Sequence, residues 1–116
     1  MGILSYFTTE VINDVFIVTV DLQQATIEQA GEFNKLLSDA IDKGRRKILI
    51  EMGEVEFMDS TFLGALIINL KKIGSSNGKF LLAGLKPDVK TMVQQTNLNK
   101  IFDVFESRTE ALNSIQ

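Results

Sequence analysis

Residues 57–66, Phe-Met-Asp-Ser-Thr-Phe-Leu-Gly-Ala-Leu, carry the clearest structural signal of the chain. Asp59 and Ser60 are residue types that cap helix N-termini, and the apolar residues after them recur at helical spacing. We therefore predict a helix that begins near Ser60 and ends near Gly74. At about 100° per residue, its side chains divide between two faces. The face predicted to pack on a sheet holds Leu63, Leu66, Ile67, Leu70 and Ile73.

The opposite face of this helix is predicted to carry a stripe of Ser60, Gly64, Ile68 and Lys71. Ile68 is apolar where a polar residue is expected, and Gly64 costs a helix about 1 kcal/mol relative to alanine. Small and apolar residues on an exposed helix face let another surface come close, so the stripe indicates a protein-binding face.

Ser60 has two readings. As a helix cap, it would stabilise the helix by about 1 kcal/mol, and local physics alone favours this structural role. As a modified residue, its hydroxyl would place a phosphate near free backbone N–H groups and the positive end of the helix dipole. The neighbouring Asp59 would repel that phosphate, so modification would change the local surface more than stabilise it.

The flanking segments alternate between strand and helix patterns. Strands are predicted over 3–9 and 15–20, with Asn13-Asp14 as a hairpin turn between them. A capping box of Thr26 and Gln29 then opens a helix that Gly44 ends. Its predicted inward face holds Ile27, Ala30, Phe33 or Asn34, Leu37 and Ile41.

The rest of the chain continues the alternation. Further strands are predicted over 47–52, 79–83 and 103–106, and further helices from Pro87 to about Thr96 and over 109–115. The resulting order is β-β-α-β-α-β-α-β-α. It predicts an α/β fold: a small mixed sheet with helices packed mainly on one face.

Composition sets limits on function. The chain has 116 residues, the size of one domain over 1–116, with 45% apolar residues and a net charge of −3. Arg45-Arg46-Lys47 is too short a basic cluster for nucleic-acid binding. The absence of histidine and cysteine removes the commonest general base, zinc ligand and thiol nucleophile. We expect a cytoplasmic protein that is not an enzyme, with no membrane insertion, metal or cofactor.

Two other patterns do not predict a functional site. Residues 74–79 look like a phosphate-binding loop, but they fall one residue short of the required spacing and precede a strand. A group of acids around one loop could suggest a metal or paired-carboxylate site, although a solvated acidic loop is the better interpretation. Its members are Glu51, Glu54, Glu56 and Asp59.

Residues 57–61 followed by Leu63-Gly64 resemble the signature of the STAS domain, specifically of the bacterial anti-sigma factor antagonists. The predicted element order matches that family over essentially the whole chain. The resemblance implies that Ser60 is phosphorylated by a partner serine kinase that doubles as an anti-sigma factor, and that a serine phosphatase reverses the step. It also implies that Asp59 is the adjacent acid at the kinase interface and Thr61 the following hydroxyl.

The chain departs from that family at two positions. Phe62 stands where glycine is usual, and we expect its ring to lie at the edge of the site and to bear on partner choice. Gln23 stands where the family commonly has Asp, which removes a charge from the same surface and favours a divergent partner. The predicted partner-binding residues are Gln23, Asp59, Ser60, Thr61, Phe62, Gly64 and Ile68.

An alternative hypothesis keeps the STAS-like fold but not the control by phosphorylation of Ser60. STAS-like domains also serve as permanent, non-phosphorylated subunits of transport ATPases or signalling complexes. In that case Ser60 is only a cap, and the outer face of the second predicted helix is a constitutive interface.

Overall fold

The computed structural model describes residues 6–115. Its strands are β1 (Phe7–Ile12), β2 (Val15–Val20), β3 (Gln24–Ala25), β4 (Lys47–Glu51), β5 (Phe57–Met58), β6 (Lys79–Ala83) and β7 (Asp103–Phe105). Its helices are α1 (Ile27–Asp42), α2 (Ser60–Gly74), α3 (Pro87–Gln95) and α4 (Arg108–Ser114), with a 3₁₀ turn at Leu98–Lys100.

Two sheets organise the described residues. The larger has the order β1-β2-β4-β6-β7, and the smaller pairs β3 with β5. Only β1 and β2 pair antiparallel, while β4, β6 and β7 each join their neighbour in parallel. The predicted mixed sheet is confirmed. The two-residue strands β3 and β5 were not predicted, and the predicted first strand falls partly on residues 3–5, outside the described residues.

The turn between β1 and β2 follows from its residue types. Asn13 and Asp14 both have positive φ angles, 48° and 74°. Two successive left-handed residues make the turn that matches the twist of an antiparallel hairpin, and Asn and Asp tolerate that conformation well. The predicted hairpin turn is therefore confirmed.

Alternation along the strands divides the core into two layers. Phe80 and Leu82 of β6 face the larger layer, which also receives Phe33 of α1, Leu66 of α2 and Val89 of α3. The intervening residues of β6 face a smaller layer that α4 covers, and its buried members are Val15, Ile17, Leu49, Leu81, Ala83 and Ala111. Three helices thus pack on one face and the short α4 on the other, as expected of helices mainly on one face.

The inward face of α1 is partly different from its prediction. Ala30, Phe33, Leu37 and Ala40 are buried, whereas Ile27 is 66% exposed. Ile27 is the first residue of the helix, and at about 100° per residue it lies roughly 100° from the middle of the buried arc. Its predicted place in the core is wrong.

Candidate functional site

The two short strands bring the starts of α1 and α2 side by side. In the β3–β5 pair, Gln24 lies opposite Phe57 and Ala25 lies opposite Met58. Each strand runs after one residue into a helix, α1 or α2. Because the strands are parallel, both helices start at the same end of the small sheet.

The residue between each strand and helix is the helix cap. Thr26 caps α1 through the predicted capping box, in which its backbone N–H donates to Gln29 Oε1 at 3.0 Å. Asp59 caps α2, since its Oδ1 accepts from the backbone N–H of Phe62 at 2.9 Å. Ser60 is therefore not the N-cap; it is the first residue of the helix.

The Asp59 side chain joins the two helices. While Oδ1 caps α2, Oδ2 accepts from the backbone N–H of Ile27, the first residue of α1, at 2.9 Å. The Asp59 backbone N–H donates to the carbonyl of Ala25 at 3.1 Å, which continues the β3–β5 ladder. One half-buried carboxylate thus fixes both helix starts.

Ser60 presents its hydroxyl to solvent. The residue is exposed, as is Thr61. Within residues 6–115 the Ser60 hydroxyl has no hydrogen-bond partner, and the backbone N–H groups of Ser60 and Thr61 have no protein acceptor. A free hydroxyl beside two free backbone donors is the arrangement that can accept, and then solvate, a phosphoryl group.

Of the predicted outward stripe of α2, Ser60, Ile68 and Lys71 are exposed and Gly64 is half-buried. Ile68 is 56% exposed, and Lys71 is exposed as well. A Cβ built on Gly64 would meet nothing within 4 Å. Packing within the described chain therefore does not require glycine there, although glycine weakens the helix.

Phe62 lies in the core. Its side chain is 0% exposed, and its ring centroid lies 4.7 Å from that of Phe33, in the interface between α1 and α2. At about 100° per residue, Phe62 faces nearly opposite to Ser60 on the helix. The prediction that its ring lies at the edge of the partner-binding surface is wrong, because the third helical position points toward α1.

Gln23 is brought to the same end of the molecule. Its carbonyl accepts from the backbone N–H groups of Glu56 and Phe57, at 2.8 and 3.1 Å, and its residue is exposed. With Phe57, Met58 and Met92 it lines an open groove of about 480 Å³ between β5 and α3.

Sequence reasoning missed two exposed apolar residues at this end, Ile27 and Phe57. They are 66% and 54% exposed, and with Ile68 they are three of the six exposed large hydrophobic residues among those described. Ile27 directly follows Thr26, the N-cap of α1, and its backbone N–H is bound by Asp59. Phe57 alternates with the buried Met58 along β5. The signal for Phe57 was this alternation, which two residues are too few to reveal.

The acids of the neighbouring loop point apart. Glu51 hydrogen-bonds to Arg108 and to Thr19 on the α4 side of the sheet, and Glu56 pairs with Lys86 at 3.6 Å. Among the described residues, no group of three or more His, Cys, Asp or Glu side chains could hold a metal ion.

The densest ion-pair network lies on the face covered by α4. Arg108 contacts both Glu10 and Glu51. The hydrogen bond from Arg108 holds the pKa of Glu10 below its ordinary value, and the two carboxylates raise the pKa of Arg108. The hydrogen bond from Lys90 of α3 likewise lowers the pKa of Glu106.

Comparison with known proteins agrees with this geometry. A model of the STAS domain matches residues 6–111. The chain belongs to the STAS domain family. This STAS domain is 32% identical over 111 residues to the "Putative anti-sigma factor antagonist" of Thermotoga maritima, with 95% of the chain and 97% of the relative covered.

Solved structures share the fold of this STAS domain. The crystal structure of a Thermotoga maritima protein of the same description has a TM-score of 0.85 and 32% identity, covering 93% of this chain and 92% of that one. The phosphorylated form of SpoIIAA from Bacillus has a TM-score of 0.76 at 17% identity, covering 95% and 99%. Within residues 6–115, no helix combines the length and apolar character needed to span a bilayer.

Proposed function

We propose that this STAS domain is an anti-sigma factor antagonist that acts by partner switching under the control of Ser60. The observation that carries the proposal is the exposed Ser60 hydroxyl on the first residue of α2, flanked by free backbone donors and by exposed apolar side chains. The unphosphorylated domain binds an anti-sigma factor that is also a serine kinase, and the bound sigma factor is released. The proposal includes a single domain over 1–116 and a cytoplasmic location.

The kinase modifies Ser60 with ATP that it holds itself. Ser60 Oγ attacks the γ-phosphorus, the new O–P bond forms, and the bond from that phosphorus to the leaving ADP oxygen breaks. The hydroxyl proton passes to a base on the kinase, since this chain has no histidine. A serine phosphatase later hydrolyses the ester, which restores the hydroxyl and releases inorganic phosphate.

Phosphorylation changes the docking surface. It adds about −1.5 to −2 charges at Ser60, directly beside the Asp59 carboxylate. Rebinding the kinase would bury this dianion next to a like charge, and both desolvation and repulsion oppose that step. The modified domain therefore stays apart from the kinase until it is dephosphorylated.

The surroundings of Ser60 suit a protein partner. Ile27, Phe57 and Ile68 offer apolar side chains, and burying one such side chain fully is worth about 1.5–3 kcal/mol. Gly64 leaves open space above α2, which allows a partner backbone to approach. Gln23 and Thr61 supply polar groups at the rim, as is usual for protein interfaces.

Phosphosite mass spectrometry on the protein from its native cells, with and without stress, tests the proposal. We expect phosphate on Ser60 with an occupancy that changes with condition. Ser60→Asp should weaken kinase binding, whereas Ser60→Ala should bind and not be released by ATP. Ser76→Asp, two residues beyond the far end of α2, is the matched control and should bind normally.

Equal affinity of the Ser60→Asp and Ser60→Ala proteins would contradict the switch. A protein without phosphate that co-isolates with a transport ATPase would favour the permanent-subunit alternative. In that case Ser60 is only the first residue of a helix that Asp59 caps.

A further inference from the structure

Both oxygens of the Asp59 carboxylate are used within the chain. One accepts from Phe62 N–H and the other from Ile27 N–H, each at 2.9 Å. Hydrogen bonds to an ionised carboxylate are stronger than bonds between neutral groups. Each oxygen keeps a second lone pair for a partner, but the two backbone donors fix the orientation of the carboxylate.

The start of α1 depends on this carboxylate. Thr26 Oγ1 accepts from Glu28 N–H at 3.2 Å, whereas the Ile27 N–H is bound by Asp59 alone. The first backbone donors of a helix have no partner within the helix itself. Asp59, the residue before Ser60, therefore fixes the backbone of Ile27, whose apolar side chain is exposed.

A phosphate on Ser60 competes for the same donors. The first turn of α2 offers the free N–H groups of Ser60 and Thr61 and the capped N–H of Phe62. A phosphoryl group one residue from Asp59 binds such donors strongly and repels the carboxylate. Once the carboxylate turns away from α2, it cannot hold Ile27.

We propose that Asp59 is a positioning residue that couples the phosphorylation of Ser60 to the start of α1. In the unphosphorylated chain, Asp59 holds Ile27 beside Ser60. In the phosphorylated chain, the phosphate displaces the carboxylate and releases the Ile27 N–H. The proposal rests on the proposed function in one respect, since it takes Ser60 as the modified residue.

Amide hydrogen exchange measured by NMR tests the coupling, with phosphoserine installed at position 60 by genetic encoding. We expect phosphoserine to speed the exchange of the Ile27 amide on the order of tenfold, the change given by losing one hydrogen bond to a charged acceptor. The amide of Ala111, which donates to the carbonyl of Ser107, the N-cap of α4, is the distant control and should not change.

Asp59→Ser separates the hydrogen bond to Ile27 from the capping of α2. Serine is also a good N-cap, so α2 keeps its cap, but the shorter side chain cannot also reach Ile27. We expect the Ile27 amide to exchange about tenfold faster in this variant, while the Phe62 amide stays protected. Phosphoserine on this background should add nothing at Ile27. Asp59→Asn, which keeps the size of the side chain, provides a second variant.

Two results would overturn the proposal: an Ile27 amide that ignores phosphoserine, or one that responds equally with Asp59→Ser present. Neither measurement uses a kinase, so the proposed function is tested separately. If cells never phosphorylate Ser60 but installed phosphoserine releases Ile27, the function fails and the coupling stands. If cells phosphorylate Ser60 and Ile27 does not respond, the coupling fails and the function stands.

Discussion

The ring of Phe62 packs against the ring of Phe33 between α1 and α2, with 4.7 Å between the ring centroids and 36° between the ring planes. Phe33 in turn lies 5.4 Å from Phe7 of β1. This row of three rings joins the edge of the sheet to both helices. It places a large residue under the site without exposing it.

Phe62→Ala should therefore lower the free energy of unfolding by about 3–5 kcal/mol, because it leaves a cavity among the rings. Urea unfolding measures this change. Phe57→Ala removes the same ring from an exposed position in the same stretch, and it should change stability by less than about 0.5 kcal/mol. Similar losses from the two variants would contradict the buried position of Phe62.

Gly64→Ala should have opposite effects on stability and on binding. A Cβ there meets nothing within 4 Å, so the variant should be more stable by about 0.5–1 kcal/mol. If Gly64 permits close approach of the partner, the affinity for the kinase should fall, as measured by calorimetry.

Gly74→Ala is the matched control for this pair of measurements. It lies at the end of the same helix and also has open space at its Cβ. At 1.5 Å per residue it is about 15 Å from Gly64, so its affinity should stay unchanged. Unchanged binding by Gly64→Ala would remove Gly64 from the docking surface.

Asn69 is the buried polar residue of the interface between α1 and α2. Its Nδ2 donates to Asn34 Oδ1 at 2.9 Å and to the carbonyl of Ala65 at 2.8 Å. Asn69→Ala should cost about 1–3 kcal/mol of unfolding free energy, because the Asn34 oxygen loses its donor. Thermal and urea unfolding would show this loss, whereas the exposed Asn113→Ala should be close to neutral.

The ion pair of Glu10 with Arg108 predicts a pH dependence. The pKa of Glu10 is lowered from 4.5 in the folded chain by the hydrogen bond from Arg108. Its contribution to stability is therefore complete above pH 4.5 and is lost as the pH falls through the lowered pKa. Arg108 stays protonated throughout this range.

Glu10→Gln should accordingly differ from the original chain most at neutral pH, and the difference should shrink below pH 4.5. Urea unfolding at a series of pH values measures it. The control is Glu54→Gln, since Glu54 has no ion pair among the described side chains. A Glu10→Gln difference that is constant with pH would contradict the assignment.

The sequence predicted the elements whose signals are local. The Thr26–Gln29 capping box, the Asn13-Asp14 turn and the start of α3 at Pro87 each depend on neighbouring residues, and the structure has all three. The strand β6 matches its predicted bounds for the same reason, since Gly78 precedes a continuous apolar run.

What could not be predicted depends on the packing of distant segments. A two-residue strand such as β5 has no periodicity, so only its pairing with β3 defines it. Ile27 and Phe62 exchange their predicted environments because each lies in the first turn of a helix. Whether such a side chain is buried depends on the position of the other helix. The hydrogen bond from Ile27 N–H to Asp59, which joins the two helix starts, links residues 32 positions apart.

That separation links the site to the order of folding. The bond between Asp59 and Ile27 closes a loop of 32 residues, and contacts of this kind form only after the entropy of loop closure has been overcome. A nascent or partly unfolded chain carries Ser60 but does not hold Ile27 beside it. A kinase that binds both Ser60 and Ile27 would therefore phosphorylate folded molecules and not partly folded ones.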